Sequence, residues 1–272
     1  MPPVRGADGP RGPRLRAHRR AAVSGAEIVL DARILSASNA TFLGRLGPEP
    51  VVYKPVAGER PLWDFPDGTL ARREVAAYLV SEATGWGLVP RTWLCEGPLG
   101  TGMAQLWCEP DPEQDAVLLV PAGEAPAKGW CRVLEGVDEE DRPVALLHED
   151  SPALRRMAVF DVVVNNADRK AGHVLAVEGG HRYGVDHGLT FHPEHKLRTV
   201  LWGWAGAGLT AEEVAGVQRV RTDLDGELGA ALGGLLEPAE VTALTDRCDR
   251  LLAAGRLPLP PAGYPAIPWP PF

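Results

Sequence analysis

The chain reads as an α+β protein of two lobes, an antiparallel, strand-rich first part followed by a mainly helical second part. Three observations predict this. Short runs of alternating apolar and β-branched residues recur before residue 60, one apolar helical stripe follows them, and segments carrying helix-start signals dominate the end of the chain.

Taken in order, Glu27 to Leu35, Ala40 to Leu46 and Val51 to Val56 are predicted strands, separated by Gly and Pro. Leu70 to Ala83 is a predicted helix with Ala71, Val75, Leu79 and Ala83 on one stripe, a cap at Thr69 or Asp67, and Gly85 as its stop. Strands at Arg91 to Glu96 and Met103 to Cys108 flank a glycine-rich turn. The acidic stretch Glu109 to Asp150 is expected to be irregular, with a hairpin around Glu139 and Glu140. Ser151-Pro152 opens an apolar helix reaching about Val164. Short strands at Val174 to Val177 and Arg182 to Val185 follow, and a capping box at Thr210 to Glu213 starts a helix. Helices near Leu224 to Leu236 and from Pro238 to Ala254 complete the second part. The expected division is a disordered basic arm (1–25), an N-lobe (26–108), a C-lobe (109–256) and an extended proline-rich tail (257–272) that docks through Tyr264, Trp269 and Phe272.

Composition narrows the function classes. The formal net charge is −8, and six arginines sit in the basic arm, so the folded body is more acidic still and is expected to repel nucleic acid. Cys95, Cys108, Cys131 and Cys248 are scattered without close pairing, which suits reduced thiols and a cytoplasmic location. No apolar run is long enough to span a bilayer. Lysine is rare beside arginine, occurring only as Lys54, Lys128, Lys170 and Lys196, so each one draws notice.

The chemistry concentrates in Asn165-Asn166-Ala167-Asp168-Arg169-Lys170-Ala171-Gly172-His173, followed by Asp186-His187-Gly188. An acid after a helix, a second ligand type five residues on, and a hairpin returning the chain to another acid allow three polar groups to converge. Phosphoryl transfer needs such a set: one carboxylate to orient the acceptor hydroxyl and others to hold a magnesium ion on the phosphates. Lys54 ends the third strand and Glu74 lies on the next helix, a strand-lysine and helix-glutamate relation suited to gripping phosphate.

Five stretches in order resemble the phosphatidylinositol 3/4-kinase-like superfamily, most of all the type II phosphatidylinositol 4-kinases and their small bacterial relatives. They are Val-Tyr-Lys-Pro (52–55), the helix and turn at 73–92, Met-Ala-Gln-Leu-Trp (103–107), Asn-Asn-Ala-Asp-Arg-Lys (165–170) and Asp-His-Gly-Leu-Thr-Phe-His-Pro (186–193). The resemblance implies a protein-kinase-like fold binding ATP with magnesium, or manganese, between its lobes. It implies that Lys54 contacts the α- or β-phosphate and Glu74 braces it, and that Gln105, Leu106 and Trp107 form the strand meeting adenine. Ser38, Asn39 and Thr41 would lie in a turn over the phosphates. Asp168 would be the catalytic acid and Asp186 the metal ligand, with His173 standing as the candidate second ligand.

Three departures stand out. His173 occupies a position where the superfamily has asparagine, a poorer match to magnesium. Lys170 gives an Asp-x-Lys pattern resembling protein kinases, where such a lysine neutralises the transferring phosphate. The palmitoylated cysteine-rich insert of the type II lipid enzymes is missing after Lys54. The acceptor hydroxyl therefore stays open between lipid, protein and small molecule. An autophosphorylating protein kinase is one alternative, and a nucleotide-sensing pseudokinase scaffold, with the proline-rich tail binding a protein partner, is another. His187, His192 and His195 match no common zinc spacing, and Trp202-Gly203-Trp204 is expected to pack the C-lobe.

Overall fold

The computed structural model describes residues 27–35, 37–126 and 128–272; the basic arm expected at 1–25 lies outside them. The architecture is α+β, as the element pattern predicts. Five antiparallel strands, β1 (Ile28–Arg33), β2 (Phe42–Leu46), β3 (Glu49–Pro55), β4 (Thr92–Gly97) and β5 (Gly100–Leu106), form a sheet ordered β1-β2-β3-β5-β4. Val51, Tyr53 and Ala104 pack with Ile28 on one face. Lys54, the next residue of β3, therefore points to the opposite face, as strand alternation requires.

Helix α1 (Leu70–Thr84) is the hinge piece of the architecture. Its stripe is wider than the sequence predicts: Ala71 and Val75 meet Met103 of the sheet, while Ala76, Ala77 and Val80 are buried in the helical core. The helix is thus covered from two sides and needs no polar face. Neither Thr69 nor Asp67 caps it. The Glu59 carboxylate accepts from the Leu70 and Ala71 N–H groups at 3.1 and 2.9 Å, placing negative charge on the helix start. Gly85, at φ 72°, ends the helix as expected.

The acidic stretch is more regular than expected. It forms a second antiparallel sheet of β6 (Val117–Pro121), β7 (Trp130–Val137) and β8 (Pro143–Glu149), with β8 in the middle. Ala145, Leu146, Leu147 and His148 of β8 are all buried, a run without the alternation that marks half-exposed strands. The hairpin falls where predicted, with the Asp138 carboxylate accepting from the Glu140 and Arg142 N–H groups.

Helix α2 (Pro152–Val164) starts at Ser151, whose hydroxyl accepts from the Leu154 N–H, and ends at Asn165 with φ 53°. The pair β9 (Val174–Ala176) and β10 (Arg182–Gly184) follows. The last helices are α3 (Ala211–Asp223), with the predicted Thr210–Glu213 capping box, a short α4 (Glu227–Leu232) and α5 (Pro238–Ala254). The 257–272 tail is docked, but not chiefly by its aromatics. Ala266 O accepts from Thr199 N and from the Trp202 indole, Pro271 O accepts from Ala171 N, and Ile267 packs on the core, whereas Trp269 and Phe272 are exposed. Tyr264 does contribute, donating to Lys196 O. Trp202 and Trp204 are buried as expected. Among the described residues no helix is long and apolar enough to cross a membrane.

Candidate active site

Lys54 leaves β3 and lays its ammonium between two acids distant in sequence, 2.6 Å from Glu74 Oε1 and 2.8 Å from Asp186 Oδ1. Glu74 is buried, and its second oxygen accepts from the His187 N–H at 2.9 Å, so one side chain of α1 fixes both the lysine and the Asp186-His187 turn. Burial pulls the Lys54 ammonium down, yet the charges of Asp186 and Glu74 outweigh it and leave its pKa raised. Lys54 in turn, with help from His173, holds the Asp186 carboxyl well below the usual range. Asp186 has φ 59°, an uncommon left-handed conformation for a residue with a side chain.

The loop 165–173 is held by its own side chains. Asn165 donates to His192 O and Glu194 O and accepts from Lys196 N. Asn166 donates to Asp161 on α2 and accepts from Asp168 N. Arg169, fully buried, forks onto Asp161, donates to His173 O and Val185 O, and meets His187 Nε2 at 2.7 Å. Because guanidinium only donates, His187 Nε2 must accept. Burial and the Arg169 charge accordingly keep the His187 pKa well down. His173 Nδ1 lies 2.8 Å from the Asp168 carbonyl, so it carries the proton; Nε2 is left with its lone pair 3.5 Å from Asp186 Oδ2. Burial raises the Asp168 pKa and the Asp186 charge adds to it, while Lys170 and His173 oppose. Lys170 Nζ stands 4.0 Å from Asp168 Oδ2.

Lys54, Glu74, Asp168 and Asp186 line one cavity of about 360 Å³ together with Ser38 and Asn39. Six of the twelve sequence-predicted site residues thus share one wall. Thr41 is not part of the wall: it is buried and its hydroxyl donates to Asn39 O, shaping the turn from behind. The predicted adenine strand lies outside this cavity. Gln105 is buried with its amide on Thr92, Leu106 N–H donates to Arg91 O, and Trp107 N–H donates to Pro50 O. None of the three lines this cavity. β5 is a central strand flanked by β3 and β4, and these donors at and just past its end are taken up by neighbouring segments. Sequence reasoning missed Glu59 and Arg60 on the cavity wall. It also passed over Asp161 and Arg169, although a buried arginine beside the key aspartate has a readable signal in the Asp-Arg dipeptide.

The chain matches no family model. The protein Rv2133c of Mycobacterium tuberculosis is 49% identical to it over 271 residues, covering 95% of this chain and 97% of that protein. The chain belongs to the Rv2133c family. Among solved structures, that of a Helicobacter pylori proinflammatory kinase, CtkA, is 12% identical with a TM-score of 0.48, covering 85% of this chain and 93% of the other.

This member of the Rv2133c family carries four carboxylates on the cavity wall, Glu59, Glu74, Asp168 and Asp186, against the two cations Lys54 and Arg60. An anionic ligand entering such a site needs cations brought with it. Among the described residues no group of three or more His, Cys, Asp or Glu side chains is arranged to hold a metal by itself. Two carboxylates on one wall, Asp168 and Asp186, suit magnesium, which typically binds through one or two carboxylates plus substrate phosphates and water. These two side chains are the groups that would hold it.

Proposed function

We propose that the chain is an ATP-dependent phosphotransferase passing the γ-phosphate to a hydroxyl acceptor. One observation carries this reading: Lys54, Glu74 and Asp186, spread over 132 residues of sequence, meet at hydrogen-bond distance in the cavity that Asp168 also lines. Structural ion pairs also form such clusters, but the half-exposed Asp186 carboxylate and the left-handed strain at its backbone suit a working site better than a packing element.

In this reading Lys54 holds the phosphates, with Glu74 fixing its ammonium in place. Ser38 and Asn39 cover the phosphate chain from the β1–β2 turn. Asp168, with its raised pKa, accepts the proton of the attacking hydroxyl. Lys170, beside it, offsets charge on the group in transit. Magnesium, when bound, supplies charge neutralisation of the phosphate oxygens. Catalysis then rests on positioning and electrostatics rather than on a covalent intermediate.

Incubation of the full chain with γ-labelled ATP and magnesium or manganese, with phosphoinositide vesicles, proteins and small polyols as acceptors, is the direct test. Label should move to one acceptor class or to the chain itself, and Asp168→Ala should cut transfer by about 10²- to 10⁴-fold. ATP binding without any transfer in the wild type would leave only the pseudokinase scaffold. Transfer equal to wild type in both Asp168→Ala and Asp186→Ala would remove the assignment.

A further inference from the structure

We infer that Arg60 grips the β,γ end of the nucleotide's phosphate chain and sets a preference for triphosphate over monophosphate; the inference rests on the phosphotransferase reading and deepens it. Charge accounting around the cavity leads there. Both Glu59 oxygens are committed to the first N–H groups of α1, and both Glu74 oxygens to Lys54 and His187 N. Lys54 is itself shared between two carboxylates, which offset part of its charge. Arg60 lines the same cavity, and its guanidinium pairs with no carboxylate among the described residues. It is the uncommitted cation of that wall.

Arg60 is also held in place by its backbone. Its N–H donates to Asn39 Oδ1 at 2.8 Å, and Ala40 N–H donates to Gly58 O at 3.1 Å. A Cβ on Gly58 would overlap the Ala40 side chain, so glycine allows this close approach. The 58–60 segment and the 38–40 turn therefore form one rim of the cavity, which Arg60, Ser38 and Asn39 all line. A planar fork of donors matches phosphate oxygens in a way that a lysine ammonium does not. The side chain is exposed, so its replacement leaves the fold intact.

The test is calorimetric titration of the full-length wild type, Arg60→Ala and Arg60→Lys with magnesium plus ATP, AMP or inorganic tripolyphosphate. The expected result is that Arg60→Ala weakens ATP and tripolyphosphate by about 10- to 100-fold, leaves AMP within about twofold, and that Arg60→Lys falls between. The melting temperature without ligand should not move. Wild-type ATP affinity in Arg60→Ala, or equal losses for ATP and AMP, would overturn the inference. A wild type that ignores ATP but binds tripolyphosphate through Arg60 would sink the phosphotransferase reading while sparing the phosphate grip. A wild type binding neither would end both.

Discussion

At the scale of single residues, the decisive fact is how Glu74 divides its two oxygens. One holds Lys54 and the other holds the His187 amide, so the carboxylate couples the sheet to the Asp186 turn. Glu74→Gln keeps the shape and removes the charge. It should lower kcat/KM for phosphate transfer by about 10²-fold through misplacement of Lys54, and Lys54→Met should lower it further. Steady-state kinetics with a far-ultraviolet spectrum to verify folding checks this; full activity in Glu74→Gln would mean that Lys54 needs no brace. These residues were legible before any coordinates because type and spacing sufficed: a rare lysine at a strand end and an acid on the next helix. Arg60 was not legible. In a chain rich in arginine nothing in sequence separates a cavity-lining guanidinium from a solvated one.

At the scale of elements, two buried polar contacts fix how pieces meet. Arg169 and Asp161 are both fully buried, and they join α2, the 165–173 loop and the β10 end. Arg169→Ala leaves Asp161 charged and underpaired and should cost about 3–5 kcal/mol of unfolding free energy, measured by urea titration. A loss below about 1 kcal/mol would mean that the loop is held by Asn165 and Asn166 alone. His148 is the second contact. It donates from Nδ1 to Glu149 O and accepts from Gly203 N at Nε2, tying β8 to the Trp202–Trp204 turn as a neutral ring. Burial lowers its pKa below the ordinary 6.5, against the raising effect of Glu149 and Asp150. The unfolded chain therefore takes up this proton first as the pH falls. The stabilisation is complete above about pH 6.5 and is lost progressively below it. Thermal melts between pH 7.5 and 5 should show a slope that is shallower in His148→Gln; identical slopes would remove His148 as its source. The sheet containing His148 escaped the sequence reading because acidic turn residues dominate 109–150, while the fully buried β8 shows no alternation to recognise.

At the scale of the whole molecule, the last residues of the chain reach back to the loop that carries Asp168. Pro271 O accepts from Ala171 N, and Ala266 O accepts from Thr199 N, which neighbours the bridge between Thr199 and Arg169. Ending the chain at Gly263 removes these acceptors and the packing of Ile267. Amide exchange at Ala171 and Thr199 should then quicken by at least about tenfold, with the melting temperature falling by about 3–8 °C. Unchanged exchange at Ala171 would show that the tail merely lies on the surface.

By itself the sequence determined the α+β class, the caps that start α2 and α3 and the glycine that stops α1, and it singled out Lys54, Glu74, Asp168 and Asp186, since these depend on local periodicity, capping chemistry and residue type. Only the tertiary structure decided which partners those groups share, that Glu59 rather than Thr69 caps α1, that Leu106 and Trp107 donate their amides to Arg91 and Pro50, and that Arg60 on the cavity wall pairs with no carboxylate among the described residues. The division has a physical cause. Propensity and capping act over a few residues, whereas charge pairing and hydrogen-bond saturation depend on distances between atoms that are remote in sequence and meet only when the chain is folded.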